Sequence, residues 1–450
     1  MSGEPLDVDF EKQDSGAEFN GDVPTKHIFE ENYDNYYETF VREVLQNAND
    51  AGLDNDDPVR VRFTFEVLSG DELDDFKETI DWDELERHFR ALIGEDHILR
   101  LDEYLDTLED TGEMLVLRID DYNTIGLVGD EDARSGKTPY TSLVRDWQVT
   151  YKEGTSSGGS HGVGKSVLWA SSGVSTALFN SRPADPSGDR TSPRLIGRSI
   201  LPDHYLDNDA TDHHHHGKSW IGRESSDNDV SRPTSVWGSE AEELASRLDM
   251  DRPDEVPGTS ILIPGFCSPT GNIRPAVENV IPEFVRAAAR NFWPAIYREQ
   301  LEVEVRRAGG DEYEITNESL DQVPEVAPFI ACYEGREDPV DEISDPGDVG
   351  VTTIPIEFTP KDQDSEISGE ATLCARKKDP SDDADPEHDL TNHTALFRGA
   401  GMIVDYESKS EPAVYGDDYH GVLIAGEARL WGIPTVSTRT QIPSLQSTSS

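Results

Sequence analysis

The sequence predicts an α+β fold in two parts, a larger domain at 27–268 and a second, smaller α+β domain at 269–427. Three observations lead there. An apolar stripe at helix spacing (Phe40, Val41, Val44, Leu45, Ala48, Ala51) is stopped by Gly52, and the run VRVRFTFEV from Val59 to Val67 then alternates as a strand does. An apolar run from Met114 to Ile119 reads as a buried strand and leads into a turn rich in Asp, Asn and Gly. A glycine-rich stretch at 158–164 then opens another helix.

Taken in order, residues 1–26 are polar and Gly/Asp-rich and read as a flexible N-terminal arm. The helical pattern starts at His27, and residues 71–107 read as charged amphipathic helices. Between Gly126 and Gly164 apolar residues are few and Gly, Ser, Thr and Asp many, which predicts a mobile loop of a length usually reserved for function or disorder. Val163 to Ser171 reads as a helix, Val174 to Phe179 and Leu195 to Leu201 as strands, and 202–257 as an irregular insertion rich in Asp, His, Pro and Ser. Thr259 to Ile263 is a predicted strand, and Ile273 to Ile296 a long helix with Pro275 and Pro282 near its start. Residues 301–450 alternate short strand-like runs with acidic loops, and there is no internal repeat. The tail is atypical: none of the 23 residues after Glu427 is acidic, and 428–450 is Ser/Thr-rich. Either it is an ordinary Ser/Thr tail, or the chain is truncated or out of frame inside a longer protein; the second is the expectation.

Composition excludes whole classes. The 450 residues carry 92 acidic against 39 basic side chains, a net charge of −53, so a basic nucleic-acid-binding surface spread over the whole protein is ruled out. Only 11 of the basic residues are Lys, and 36 Trp, Tyr and Phe are scattered along the chain. That combination fits a folded protein with the solvated acidic surface of a halophile better than an acidic disordered chain. Cys267, Cys332 and Cys374 have no metal-ligand spacing and build no disulfide framework. With neither a basic, apolar leader at the start nor a run of 18 apolar residues, the expectation is a soluble, cytoplasmic protein without membrane association.

Chemistry concentrates in four places. Glu43, Asn47 and Asp50 stand at i, i+4 and i+7 of the first helix, within an arc of about 60° beside the apolar stripe. There they can line a cleft at the edge of the core, although a solvated helix face has the same pattern. Asp121 closes a strand and is followed by Tyr122-Asn123-Thr124-Ile125-Gly126; a carboxylate there can hold a purine amino group while the turn admits a ligand to the backbone. Gly158-Gly159-Ser160-His161-Gly162-Val163-Gly164-Lys165-Ser166 places glycines and a cation at a helix mouth, which suits phosphate. Gly258-Thr259-Ser260 opens an apolar strand with a hydroxyl in reach of a ligand.

Together these motifs resemble the GHKL superfamily of gyrase, the heat-shock chaperone, histidine kinases and MutL, over about residues 30–265. Glu43 to Ala51 matches E-x-x-x-N-x-x-D-A at every fixed position. Asp121 to Gly126 resembles D-x-G-x-G, with Asn123 for the first Gly and one residue extra; Gly159, Gly162 and Gly164 match G-x-x-G-x-G, and Gly258-Thr259 the final G-T. The resemblance implies a Bergerat-type α/β sandwich, a mixed sheet with helices on one face, and an ATP lid at about 127–164. It further implies ATP and Mg²⁺ as cofactors. Glu43 would be the general base, Asn47 the magnesium ligand, and Asp121 the adenine ligand supported by Thr259. Gly159, Gly162 and Gly164 would wrap the phosphates with Lys165 as an added charge. Asn123 and Gly126 would shape the adenine turn, Ala51 would complete the first motif, and Asp50 would act as ligand or as a structural partner of the helix.

The competing G-x-x-x-x-G-K-S pattern, Gly159 to Ser166, is a P-loop only after a buried strand, and 151–157 is polar. The run His213 to His216 reads as a solvated loop, and His161 as a loop residue of the lid. Arg274, Arg286, Arg290 and Arg298 on the long helix are expected to pair with surrounding acids rather than face a nucleic acid. Three functions follow. The first is an ATP-driven switch with slow hydrolysis, resembling the stand-alone ATPases of prokaryotic restriction and phage-defence loci, with a nuclease, helicase or methyltransferase as partner and homodimerisation compatible with it. The second is a heat-shock-type chaperone, the third a P-loop NTPase. Residues 301–450 show no nuclease metal cluster.

Overall fold

The computed structural model describes residues 4–14, 17–18, 20, 36–93, 100–131, 138–145, 164–185, 192–206, 213–224, 232–253, 256–358, 367–382, 388–398, 401–408 and 417–425. The first compact unit runs Met1–Val323 and the second Pro324–Ser450. The first contains β1 (Asp7–Asp9), β2 (Lys12–Asp14), α1 (Tyr36–Asp50), β3 (Val59–Ser69), α2 (Gly70–Thr79), α3 (Trp82–Arg90), α4 (Leu101–Thr111) and β4 (Glu113–Tyr122). After these come α5 (Val167–Ala170), β5 (Thr176–Arg182), β6 (Arg194–Ser199), β7 (His213–His215), β8 (Trp220–Gly222), β9 (Val236–Trp237) and α6 (Gly238–Arg247). The unit ends with β10 (Gly258–Pro264), α7 (Val277–Tyr297), β11 (Leu301–Arg307) and β12 (Glu312–Ile315).

The result is an α+β unit on one large mixed sheet, ordered β1-β8-β6-β5-β10-β4-β3-β11-β12 with β9 on β6. Its described pairings are antiparallel except β11 with β3. The two-residue side-chain period of a strand sorts the sheet into two faces. Phe63 and Phe65 of β3 stand opposite Ile119 and Leu117 of β4, and both Phe rings meet Phe284 of α7, which also contacts Phe40 of α1. α1, α5 and α7 therefore share one face. Met114 and Val116 point the other way, into a cluster with Leu73 and Phe76 of α2, Leu85 and Phe89 of α3, Leu105 and Leu108 of α4, and Leu244 of α6. A second helical layer thus covers the opposite face, in addition to the one-sided layer the resemblance implied.

Four expectations need correction. The domain boundary expected at 268 falls at 323, because β11 pairs in register with β3 from Leu301↔Val59 to Arg307↔Phe65 and extends the first sheet. The described part of the expected flexible arm is built into the fold: β1 pairs β8, β2 pairs β7, and Leu6 and Phe10 are buried. The expected irregular insertion at 202–257 holds β7, β8, β9 and α6, whose Ala241, Leu244 and Ala245 are buried at helix spacing, as is Leu248 just past its end. His213 to His216 is no solvated loop: His214 and His215 are buried on β7. The tail, 428–450, lies outside the described residues.

The second unit packs α8 (Ala327–Gly335) on a five-stranded sheet of β13 (Val349–Phe358), β14 (Ile367–Lys377), β15 (His393–Arg398), β16 (Met402–Ser408) and β17 (Tyr419–Ala425), ordered β13-β14-β17-β15-β16. Phe329 of α8 meets Tyr406 and His420, and Tyr333 meets Phe397. Among the described residues no helix is long and apolar enough to cross a membrane.

Candidate functional site

Strand alternation decides where Asp121 points. It follows Leu117 and Ile119 at two-residue steps and so lies on the face that carries α1, whereas Asp120 lies on the other. Thr259 of β10 and Ser181 of β5 stand in the same row, because Ser181 pairs with Thr259 and Ser260 with Asp120. The row is tied together. Thr259 N–H donates to Asp121 Oδ1 over 2.9 Å, the Thr124 hydroxyl donates to the same oxygen, and Ser181 Oγ lies 3.1 Å from Thr259 Oγ1. Ser181 also accepts from Leu127 N–H at 2.8 Å and donates to Gly258 O at 2.9 Å. Asp121 Oδ2 has no hydrogen bond among the described residues. Burial pushes the Asp121 carboxyl up, while the neighbouring Arg252 guanidinium and the bonds from Thr124 and Thr259 pull it down.

Two glycines make this packing feasible. Gly126 has φ +64°, and a Cβ there would stand 2.8 Å from Arg182 O and 2.9 Å from Ser181 Oγ. Gly258, at φ +147°, would place a Cβ 2.2 Å from Asp121 O. Neither position has room for a side chain.

α1 is brought to the same edge of the sheet. Its stripe of Phe40, Val41, Val44, Leu45 and Ala48 is buried, Glu43 is half-buried, and Asn47 and Asp50 are exposed. Past its end, Gly52 bridges Thr124, Ile125 N–H donates to Ala51 O at 2.9 Å, and Leu53 N–H donates to Asn123 O at 3.1 Å. Ala51 therefore joins the Asp121 turn through its backbone. Burial raises the Glu43 carboxyl above the ordinary glutamate range, and Arg42 opposes that. From the other side α5 packs on α1, with Tyr36 Oη 2.7 Å from Ser171 Oγ and donating to Val167 O at 3.2 Å. Lys165, in the turn before α5, donates to Ser142 O at 2.8 Å. Gly164 opens that turn; Gly159, His161 and Gly162 lie outside the described residues.

The described parts of the expected mobile loop are packed. Leu127, Tyr140, Thr141 and Val144 are buried. Arg194 of β6 donates to Leu127 O at 3.0 Å and Gly129 O at 2.9 Å, pairs with Glu131 at 3.3 Å with both side chains fully buried, and lies 3.7 Å over the Tyr140 ring. Arg198 donates to Val144 O at 2.7 Å and stacks 3.8 Å over Trp220; burial lowers its guanidinium to about 9. Sequence reasoning missed Arg194, Arg198, Arg252 and Ser181. The single legible signal was for Ser181, two residues beyond Phe179 on the same strand face.

Three arginines expected to pair with acids do so: Arg274 with Glu113, Arg286 with Glu283 at 2.8 Å, and Arg290 with Glu38 at 3.6 Å. Among the described residues no group of three or more His, Cys, Asp or Glu side chains could hold a metal ion.

No protein-family model matches the chain, and neither does any curated protein. Among solved structures, the chain is similar to the ATPase region of Saccharomyces cerevisiae topoisomerase II bound to dexrazoxane, with a TM-score of 0.29 and 7% identity, covering 80% of this chain and 61% of that one. It is also similar to the N-terminal domain of a DNA repair protein, with a TM-score of 0.33 and 9% identity, covering 79% of this chain and 72% of that one. The chain spans 61% of the topoisomerase region's length. The functional reading rests on the residues and their geometry.

Proposed function

We propose that this chain is a GHKL-type ATPase that binds ATP with Mg²⁺, hydrolyses it slowly and couples nucleotide state to closure of a lid. The observation that carries the reading is the joining of the α1 motif to the Asp121 turn, with Thr259 N–H on Asp121 Oδ1 and Gly52 bridged to Thr124. The open Oδ2 of Asp121 can accept an adenine amino hydrogen, and the bonds already made to Oδ1 fix the carboxylate plane. A hydrogen bond of this charged kind contributes about 1.5–3 kcal/mol. Glu43, with its carboxyl raised by burial, is suited to take a proton from an attacking water. Asn47 offers one exposed carboxamide oxygen, which fits a magnesium ion, because such an ion keeps most of its waters and needs few protein ligands. When bound, the ion would offset phosphate charge. Lys165 and the lid glycines Gly159, Gly162 and Gly164 would contact the phosphates.

The P-loop reading is less well supported. The Gly-Lys-Ser turn leads into the four-residue α5 rather than a long helix, within a sheet that is antiparallel but for one described pair. By its resemblance to the ATPases of defence loci, we further propose that the switch serves a DNA-modification, restriction or phage-defence system, through a nuclease, helicase or methyltransferase. The chaperone alternative would need a client-binding region in the second unit.

The test is Mg²⁺-dependent ATP hydrolysis in molar KCl, with nucleotide binding measured in parallel. Glu43→Ala should bind ATP and lose turnover, and Asn47→Ala should lose Mg²⁺-dependent binding. Normal hydrolysis in both variants with loss in Lys165→Ala would overturn the proposal in favour of the P-loop.

A further inference from the structure

Asn123 is the one place where the adenine-type turn carries a polar side chain at a left-handed backbone position, φ +62°. Asn tolerates that conformation better than most residues, and Gly tolerates it best. Its side chain is occupied. Asn55 Nδ2 donates to Asn123 Oδ1 at 2.8 Å, and Asn123 Nδ2 donates to Asn55 Oδ1 at 3.0 Å and to Asp57 O at 2.7 Å, with Pro58 O at 3.3 Å. The backbone is occupied as well, since Asn123 N–H donates to Pro257 O at 3.1 Å and Asn123 O accepts from Leu53 N–H at 3.1 Å.

One residue therefore joins three chain segments, and each leads directly to a candidate ligand residue. The segment 53–58 leaves α1, the segment 121–126 begins with Asp121, and Pro257 precedes Gly258 and Thr259. We propose that Asn123 is a positioning residue, not a nucleotide ligand: its carboxamide holds the end of α1 in register with Asp121, so that the phosphate-side residues and the adenine-side residue meet one nucleotide. This rests on the ATP-site reading. α1 and β4 are separated in sequence by β3 and three helices, so their relative placement depends on such a cross-link as well as on core packing. The Gly52–Thr124 bridge and the Ile125 N–H to Ala51 O bond are backbone-only and would survive a glycine at 123. The carboxamide bonds would not.

The experiment measures the affinity of the full chain for ATP and Mg²⁺, with kcat and KM, in wild type, Asn123→Gly, Asn55→Ala and the double variant. Asn123→Gly keeps the backbone conformation and removes only the carboxamide. ATP affinity should fall roughly tenfold, which corresponds to about 1.4 kcal/mol. KM should carry that change with little effect on kcat. Asn55→Ala, which touches no ligand residue, should have a similar effect, and the double variant should be no worse than either single one. A side chain that contacted nucleotide directly would leave Asn55→Ala at wild-type affinity, and a merely structural one would lower the melting temperature without moving KM; either result overturns the inference. So does unchanged affinity in Asn123→Gly when wild type binds ATP. A correctly folded wild type that binds no ATP removes the nucleotide reading itself.

Discussion

Glu43 sits half-buried on α1 with its carboxyl held above the ordinary glutamate range. In its proposed role as general base it works only when deprotonated, so turnover should rise with pH through that raised value, with an acid limb above the pH at which a free glutamate titrates. A pH–rate profile of kcat tests this, and Glu43→Gln should lose the turnover and the limb together. Gly258 makes a sharper steric claim. A Cβ there would stand 2.2 Å from Asp121 O at a φ of +147°, a region that costs a side chain on the order of 1–3 kcal/mol before any overlap. Gly258→Ala should therefore lower stability in denaturant titration by at least that much, and weaken ATP binding by displacing Asp121.

At the scale of elements, the N-terminal strands close over a cluster of histidines. Phe10 stacks on His88 at 3.9 Å, His88 Nδ1 lies 2.7 Å from His204 Nε2, and His215 Nδ1 lies 3.0 Å from Phe10 O. Burial, with the neighbouring rings, pushes His88 down to about 2; burial likewise pushes His204 down to about 4. Glu84 faces His88 at 3.4 Å, and Asp203 faces His214 and His216. Since the folded values lie below the unfolded one, the unfolded chain binds more protons between them. Stability is then full above about pH 6.5 and falls as pH drops through that window, His204 alone accounting for up to about 3 kcal/mol. Denaturant unfolding at a series of pH values should show the fall, and His204→Asn should flatten it. A run of four histidines in an Asp-rich stretch looked solvated in sequence because Phe10 and His88, which pack against it, are far away along the chain.

At the scale of the molecule, every described residue of the candidate site lies within Met1–Val323, and β11 and β12 complete its sheet. A fragment of residues 1–323 should keep ATP affinity within about twofold of the full chain, whereas a fragment ending at 268 should not fold. It would expose the β3 edge and leave Phe40, Phe63 and Phe65 without Phe284, a loss on the order of several kcal/mol for aromatic burial. Circular dichroism and nucleotide titration of both fragments test the boundary.

Features that depend on nearest neighbours were legible before any folding: the amphipathic stripe of α1, the alternation of β3, the apolar run of β4 and the composition of the Asp121 turn. Those local periods placed Glu43, Asn47 and Asp121 on recognisable elements. The meeting of the end of α1 with the Asp121 turn was a tertiary outcome. It required β4 to pair between β3 and β10 so that Asp121 and Thr259 fall in one row, and α1 to end where Gly52 reaches Thr124. The parallel pairing of β11 with β3, the capture of β1 and β2, and the seating of Arg194 under Leu127 and Gly129 are contacts between distant segments. Such contacts leave no period in the sequence, because their energy is realised only when the sheet assembles.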